Sequence, residues 1–174
     1  AYGSNPSYRL LSQEKLPQNP LPTAQPGSQL LGVSYCATCD GAFYQNKTVA
    51  VVGGGDTALE DALYLSRMAK QVYLVHRRDA FRANASLQKQ VAQTGNIVPI
   101  LCAVPTEIVG EKHVEALKLL HNDKPEDLQL DGVFVAIGSV PNTELLRGIA
   151  ALDASGYVVA GEDGVTSVSG LFAA

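Results

Sequence analysis

The feature that most constrains the fold is a glycine-rich turn placed directly between a buried strand and an amphipathic helix. Residues 47–52 (KTVAVV) are apolar and rich in valine, which predicts a strand buried on both faces of a parallel sheet. GGGDTA follows at once as residues 53–58, and apolar residues then recur at helical spacing as far as Ala69. A strand, a glycine turn and a helix in this order are typical of the start of a dinucleotide-binding unit.

The rest of the pattern extends this unit into an α/β domain. The predicted elements are, in chain order, a strand at 71–75, a helix at 84–93, a short strand at 97–101, a hairpin of 106–110 with 114–121, and a buried strand at 132–137. Pro99 restricts its strand to a sheet edge or a bulge, because proline cannot donate to the ladder. We therefore expect a parallel sheet with one helical flank and a small antiparallel appendage.

The glycine turn matches the dinucleotide fingerprint as Gly53-x-Gly55-x-x-Ala58. The first glycine permits the tight turn, the second lets a pyrophosphate approach the backbone, and the small third residue lets the helix pack on the strand. The free N–H groups at the start of the helix would face the phosphates. The motif predicts a nucleotide site, and a purely structural glycine turn is the alternative.

The end of the second strand indicates which nucleotide is bound. An NAD site has an acidic residue about 20 residues after the glycines, where it binds the ribose 2′-hydroxyl. Here His76, Arg77 and Arg78 follow the strand, and Arg82 lies close behind them. Three guanidiniums so near one another suit a phosphate dianion, although a solvated basic face is the alternative. The cluster contrasts with a net charge of −4, and it favours NADP(H) over NAD(H).

Cys36 and Cys39 form a C-x-x-C pair with three competing interpretations. A zinc site would need two further ligands at matching spacing, and among the cysteines only Cys102 remains. Two inert core cysteines are the second alternative. A redox dithiol fits best, since a two-residue spacer allows a short disulfide and such motifs often lower one thiol pKa. Asp40 follows directly and is a candidate proton donor or acceptor for thiol exchange; a plain turn residue is its alternative role. No metal site is predicted.

Composition narrows the class of protein. The chain has 13 Lys+Arg against 17 Asp+Glu, which disfavours general binding to nucleic acid or to a membrane surface. No apolar run approaches the roughly 18 residues of a spanning helix. Three cysteines are too few for a secreted disulfide framework, so we expect a cytoplasmic protein. A dithiol and an NADP site in one chain imply electron flow between them, and a flavin is the usual carrier of that flow.

Four segments together resemble one family, the low-molecular-weight thioredoxin reductases, which are homodimeric FAD-containing flavoproteins. They are GVSYCATCDGAFYQNKTVAVVGGGDTALEDALYLS, VYLVHRRDAFRA, FVAIGSVPNTELL and TSVSGLFAA. The resemblance implies a Rossmann-like three-layer NADPH domain with a parallel sheet and an antiparallel meander, flanked by partial FAD-domain segments. It divides the chain into an FAD-domain remnant with a proline-rich linker (1–29), an NADPH-binding domain with the dithiol (30–136), and a hinge with a partial C-terminal FAD-domain segment (137–174).

The resemblance also implies roles for single residues. Cys36 would attack the thioredoxin disulfide, Cys39 would face the flavin, and Asp40 would protonate a leaving thiolate. The residues implied to contact NADPH are Gly53, Gly55, Asp56 and Thr57 at its phosphates, His76, Arg77, Arg78 and Arg82 at the 2′-phosphate ribose, and Ile137 and Gly138 beside the nicotinamide. In this family the NADPH domain rotates relative to the FAD domain between flavin reduction and dithiol exchange.

The family carries its FAD-binding glycine motif well before the dithiol, so we expect this sequence to be the middle of a larger enzyme. Its expected activity is NADPH-dependent reduction of thioredoxin through FAD. A flavoprotein that reduces a peroxiredoxin and a non-catalytic NADP-binding module are the alternatives. A simple NADP dehydrogenase is disfavoured, because no Tyr-x-x-x-Lys pair is present and the dithiol would have no role.

Overall fold

The computed structural model describes residues 8–9, 31–138 and 141–173, and the chain divides into two compact units. The described residues of the first unit are 8–9 and 31–138, and those of the second are 141–173. The proline-rich linker expected within 1–29 lies outside the described residues. No helix in the described ranges is both long enough and apolar enough to cross a membrane.

The first unit alternates strands and helices as a dinucleotide-binding domain does. Its elements are β1 (Tyr8–Arg9), β2 (Val33–Ser34), α1 (Ala37–Asp40), a 3₁₀ turn (Gly41–Tyr44), β3 (Thr48–Gly53), α2 (Asp56–Ser66), β4 (Gln71–Val75), α3 (Ala85–Gln93), β5 (Ile97–Ile100), β6 (Ala103–Val109), β7 (Ala116–His121), β8 (Lys124–Gln129) and β9 (Gly132–Ala136). The mixed α/β class expected from the sequence is confirmed.

The strands form two sheets of different kinds. The first has the order β2-β9-β3-β4-β5, and every neighbouring pair in it is parallel. The second has the order β1-β6-β7-β8 and is antiparallel throughout. Because the strands of the first sheet all run the same way, their carboxyl ends lie at one edge, called here the carboxyl edge.

The parallel sheet is buried on both faces, which gives the unit three layers. Val49 and Val51 of β3 belong to a core cluster with Leu59 and Leu65 of α2. Ala50, between those valines, belongs to a second cluster that is made with the antiparallel sheet. Alternate residues of a strand point to opposite faces, so the continuous apolar run of β3 fills both cores. Truncating the fully buried Leu59 or Leu65 to alanine would cost about 2–5 kcal/mol each.

The sequence-based elements differ from the structure mainly at their ends. The helix expected to reach Ala69 ends at Ser66, and the strand expected to reach Ile137 ends at Ala136. The strand with Pro99 lies at the edge of its sheet, as expected. Three strands were missed. β1 and β2 have only two residues each, and β8 (KPEDLQ) is almost entirely charged, polar and exposed apart from Leu128.

The second unit has little core of its own. Ala150 is its buried hydrophobic residue among those described, while six of its large apolar residues are exposed. These exposed side chains are Leu145, Ile149, Tyr157, Val159, Val165 and Phe172. Local turns give the segment its order; in one of them the Asp153 carboxylate accepts N–H bonds from Ser155 and Tyr157 at 2.8 and 2.9 Å.

Candidate functional site at the carboxyl edge of the parallel sheet

All the residues that the sequence predicts to take part in chemistry follow strands at the carboxyl edge of the parallel sheet. Strand register shows the arrangement, because Ser34 pairs with Phe134, which pairs with Val51, and Gly53 pairs with Ala136. The dithiol follows β2, the glycine turn follows β3, the basic residues follow β4, and residues 137–138 follow β9. Ligands of open parallel sheets bind outside the carboxyl ends of the strands, so this edge is the expected place for a nucleotide.

Packing explains why two positions of the turn must be glycine, and it leaves free space beside a third glycine. A Cβ at Gly53 would overlap the carbonyl oxygen of Ala136 on the neighbouring strand. A Cβ at Gly54 would overlap the imidazole ring of His76. A Cβ at Gly55 would meet no atom within 4 Å, and this residue is the extended N-cap of α2. The space beside Gly55 and the first N–H groups of α2 can therefore receive a phosphate.

His76 is buried at the end of β4 and lies against the glycine turn. It is 9% exposed, its ring stacks on Phe81 with centroids 5.7 Å apart, and its Nε2 has no hydrogen-bond partner among the described residues. Burial lowers the pKa of His76 below its ordinary value. The positive charges of Arg77, Arg78 and Arg82 lower this pKa further. The imidazole is therefore neutral near pH 7.

The basic segment, defined as residues 76–84, carries three exposed guanidiniums on a fixed backbone. The His76 N–H donates to the Ile100 carbonyl at 2.9 Å, and the His76 carbonyl accepts from the Ala103 N–H at 3.0 Å. On the other side, the Arg82 N–H donates to the Gly54 carbonyl at 2.7 Å. The salt-bridge contacts among the described residues are Lys118–Glu107 and His121–Glu126, so none of them involves an arginine of the basic segment. The charge of these arginines is available to an anionic ligand.

Cys36 and Cys39 form a disulfide across the start of α1. Their Cα atoms are 5.3 Å apart, Cys36 is partly buried and Cys39 is exposed. Cys36 takes an extended conformation as the N-cap of α1, and its sulfur accepts the Cys39 N–H at 3.2 Å. The disulfide and the exposure of Cys39 do not fit a pair of inert core cysteines. An exposed disulfide in a short helical turn is open to attack by another thiolate.

Sequence reasoning missed Ser34, which joins the turn that carries Cys36 and Cys39 (the dithiol turn) to the Asp40 side chain. The Ser34 side chain is buried, and its hydroxyl donates to Oδ2 of Asp40 at 2.6 Å while it accepts the N–H of Cys36 at 3.1 Å. A second contact, from the hydroxyl to the Cys36 carbonyl, is longer at 3.3 Å, so the single hydroxyl proton serves the carboxylate. Asp40 is thereby held beside the disulfide, where an acid can exchange a proton with a thiol.

Three comparisons identify proteins similar to this chain. The family model for pyridine nucleotide-disulphide oxidoreductases matches residues 13–174. The chain is 49% identical over 154 residues to a glucosaminate ammonia-lyase of Pseudomonas fluorescens, covering 82% of this chain and 48% of that protein. It is 44% identical over 154 residues to the thioredoxin reductase of Coxiella burnetii, with the same two coverages.

Solved structures agree with these sequence relatives. The thioredoxin reductase of Lactococcus lactis superposes with a TM-score of 0.74 at 34% identity, over 82% of this chain and 48% of that one. The thioredoxin reductase of T. acidophilum gives the same TM-score of 0.74 at 33% identity. The chain spans about half the length of the curated relatives that it matches.

Proposed function

The chain belongs to the pyridine nucleotide-disulphide oxidoreductase family, and from that premise we propose that it is the NADPH-binding part of a thioredoxin reductase-type enzyme. The observation that carries the proposal is the shared position of the Cys36–Cys39 disulfide and the basic segment at one edge of one sheet. The names of several relatives, thioredoxin reductases at 42–45% identity, support the same activity.

NADPH is assigned to the glycine turn and the basic segment. Gly53 and Gly55 allow its pyrophosphate to approach the start of α2, where Asp56 and Thr57 are exposed. The guanidiniums of the basic segment take the 2′-phosphate, beside the neutral imidazole. Ile137 and Gly138 are exposed where β9 ends and border the nicotinamide side. The open space at Gly55 and the three exposed arginines fit this nucleotide.

FAD is assigned mainly to the remainder of the whole protein; when bound, it accepts a hydride from NADPH and passes two electrons to the disulfide. Within this chain, Cys39 is exposed and is assigned to the flavin side of the dithiol. The domain boundaries 1–29, 30–136 and 137–174 belong to the same proposal. The complete protein is proposed to be a homodimer, as the family resemblance implies, and to be cytoplasmic, since the cytosol maintains a reducing thiol poise. A monomeric mass in sedimentation of the complete protein would contradict the dimer.

The dithiol carries the second half of the reaction. The Cys36 thiolate attacks one sulfur of the protein disulfide, forming a mixed disulfide and releasing a thiolate that takes a proton from Asp40. The Cys39 thiol then gives its proton to Asp40, and the resulting thiolate attacks the Cys36 sulfur, which breaks the mixed disulfide, closes the Cys36–Cys39 disulfide and releases the second substrate sulfur as a thiolate. Two electrons pass to the substrate, and the dithiol is oxidised. Thioredoxin, or a protein with a similar exposed disulfide, is the proposed substrate.

The relative named as an ammonia-lyase is a different kind of enzyme, and the disulfide argues against that activity here. Elimination of ammonia transfers no net electrons, so it gives no role to the Cys36–Cys39 pair. A non-catalytic NADP-binding module would likewise leave Asp40 and Ser34 beside the disulfide without a function. Only a disulfide reductase uses both the nucleotide site and the dithiol.

Cys39→Ser in the complete protein tests the proposal. NADPH should still bleach the flavin absorbance, because hydride transfer precedes the dithiol, while turnover with oxidised thioredoxin should fall at least about 10³-fold. Cys102→Ser is the matched control and should retain both reactions, since Cys102 is a free cysteine outside the disulfide. Retained thioredoxin turnover in Cys39→Ser would contradict the dithiol mechanism, and a complete protein without flavin would favour the NADP-binding module.

A further inference from the structure

Two hydrogen bonds tie the basic segment to the glycine turn at alternate residues. The Arg82 N–H donates to the Gly54 carbonyl at 2.7 Å, and the Asn84 N–H donates to Oδ1 of Asp56 at 2.8 Å. The first bond uses only backbone atoms and would survive most substitutions. The second depends on one side chain, because it needs an acceptor at the end of a short side chain at position 56.

Asn84 is fixed from both sides. Its own Oδ1 accepts the Leu87 N–H at 3.0 Å and caps α3, while its N–H is held by Asp56. The bond from Asp56 therefore joins the first turn of α2 to the first turn of α3. The three arginines lie on the chain between His76 and Asn84. The hydrogen bond between Asp56 and Asn84 therefore limits where their guanidiniums can reach.

Charge makes Asp56 a poor direct contact for phosphate. Asp56 is exposed in the first turn of α2, where the helix dipole favours a negative group. A phosphate placed against the same carboxylate would be repelled by it. Oδ1 already accepts the Asn84 N–H at 2.8 Å, so this oxygen has a hydrogen-bond partner within the chain. These observations separate Asp56 from the glycines and arginines that would touch the ligand.

We propose that Asp56 is a positioning residue whose bond to the Asn84 N–H holds the basic segment in place for a 2′-phosphate. The inference rests on the proposed NADPH function and assigns Asp56 a specificity role instead of a phosphate contact. A segment that is held before binding loses less conformational freedom when the ligand binds. The Asp56–Asn84 hydrogen bond therefore favours ligands that contact the arginines. A nucleotide without the 2′-phosphate gains nothing from it.

Binding of two probes to the full chain tests the inference by titration calorimetry. The probes are adenosine 2′,5′-bisphosphate and 5′-AMP, which differ by the 2′-phosphate. Asp56→Ala should weaken the bisphosphate about tenfold and leave 5′-AMP within about twofold. Asp56→Asn keeps an Oδ1 acceptor without the charge, and it should remain within about threefold of the wild type for both probes. Equal losses for the two probes in Asp56→Ala, or no loss, would overturn the proposal.

A second pair of variants tests the donor side of the same bond. Asn84 has φ −61°, which proline can adopt, so Asn84→Pro removes the N–H together with the cap. Asn84→Ala removes the cap and keeps the N–H. Asn84→Pro should lose the preference for the bisphosphate as Asp56→Ala does, and Asn84→Ala should keep it. The same loss in both variants would assign the effect to the cap and overturn the proposal.

The wild-type titration separates this inference from the function on which it rests. If the unaltered chain binds the two probes equally, the assignment of a 2′-phosphate site fails, and the role of Asp56 fails with it. If the wild type prefers the bisphosphate and Asp56→Ala retains the whole preference, the NADPH assignment stands and only the positioning role is wrong.

Discussion

The glycine turn and the dithiol turn follow strands of the same parallel sheet, but different interactions hold them. The glycine turn with the adjoining basic segment is called here the nucleotide end, and the turn that carries Cys36 and Cys39 is called the dithiol end. At the nucleotide end, backbone and ring atoms approach so closely that Gly53 and Gly54 have no room for a Cβ. At the dithiol end, a buried hydroxyl on Ser34 and two short contacts hold a turn whose Cys39 is exposed. Changes at the first end should therefore disturb folding and binding together, whereas changes at the second should alter chemistry and leave the fold intact.

The largest effect is expected from Gly54→Ala. The new Cβ would overlap the His76 ring, which is itself packed on Phe81, so the free energy of unfolding should fall by about 1–3 kcal/mol. Nucleotide binding should be lost with it, because a displaced His76 ring would disturb the basic segment that begins at this residue. Urea denaturation and NADP⁺ titration measure the two effects.

Gly55→Ala is the matched control for that substitution. Its Cβ meets nothing within 4 Å, so stability should change by less than about 1 kcal/mol. Binding of NADP⁺ should still weaken, because the methyl group occupies the space assigned to the pyrophosphate. If Gly55→Ala destabilised the protein as much as Gly54→Ala, the packing explanation of the nucleotide end would be wrong.

The next largest effect is expected from Arg77→Ala combined with Arg78→Ala. The loss of charge-assisted bonds to the 2′-phosphate should raise the Kd for NADPH about 100-fold and that for NADH less than about threefold. Lys112→Ala with Lys124→Ala removes the same charge from exposed positions elsewhere and should leave both affinities nearly unchanged. Equal losses of NADPH and NADH affinity in the arginine variant would refute the NADP assignment.

The two ends also differ in how well the sequence predicts them. Residues 71–75 were assigned correctly as a strand, because a continuous apolar run bounded by polar residues is a local signal. The glycine turn was likewise recognisable, because strand, turn and helix are adjacent in the chain. Ser34 could not be found in this way, since β2 has only two residues and shows no periodicity. Gly54 was missed because the ring that requires it, that of His76, belongs to another strand end.

Ser34→Ala tests the hydrogen bond that holds Asp40 at the dithiol end. It removes the hydroxyl that aligns Asp40, so thioredoxin turnover of the complete protein should fall about tenfold with its pH profile altered. NADPH affinity should not change. In an Asp40→Asn background the substitution should add little further loss, because the two groups act as one unit. Additive losses would show that Ser34 affects turnover by another route.

The smallest effect is expected in the pH dependence of stability, and it belongs to the nucleotide end. Burial and the neighbouring arginines lower the pKa of His76 in the folded chain, while the unfolded chain titrates near 6.5. The unfolded state therefore takes up the proton first, and the stability due to neutral His76 is present above pH 6.5 and lost as the pH falls towards the folded pKa. Asp61 acts in the opposite direction, since burial, assisted by Glu60, raises the pKa of its carboxyl.

The difference between two unfolding series isolates the histidine, because Asp61 contributes equally to both. The loss of stability between about pH 6.5 and 5 should be smaller in His76→Gln than in the wild type, as the glutamine does not titrate. An unchanged slope in His76→Gln would mean that the buried ring is as easily protonated as in the unfolded chain. The close packing at the nucleotide end would then fail to exclude water from the His76 ring.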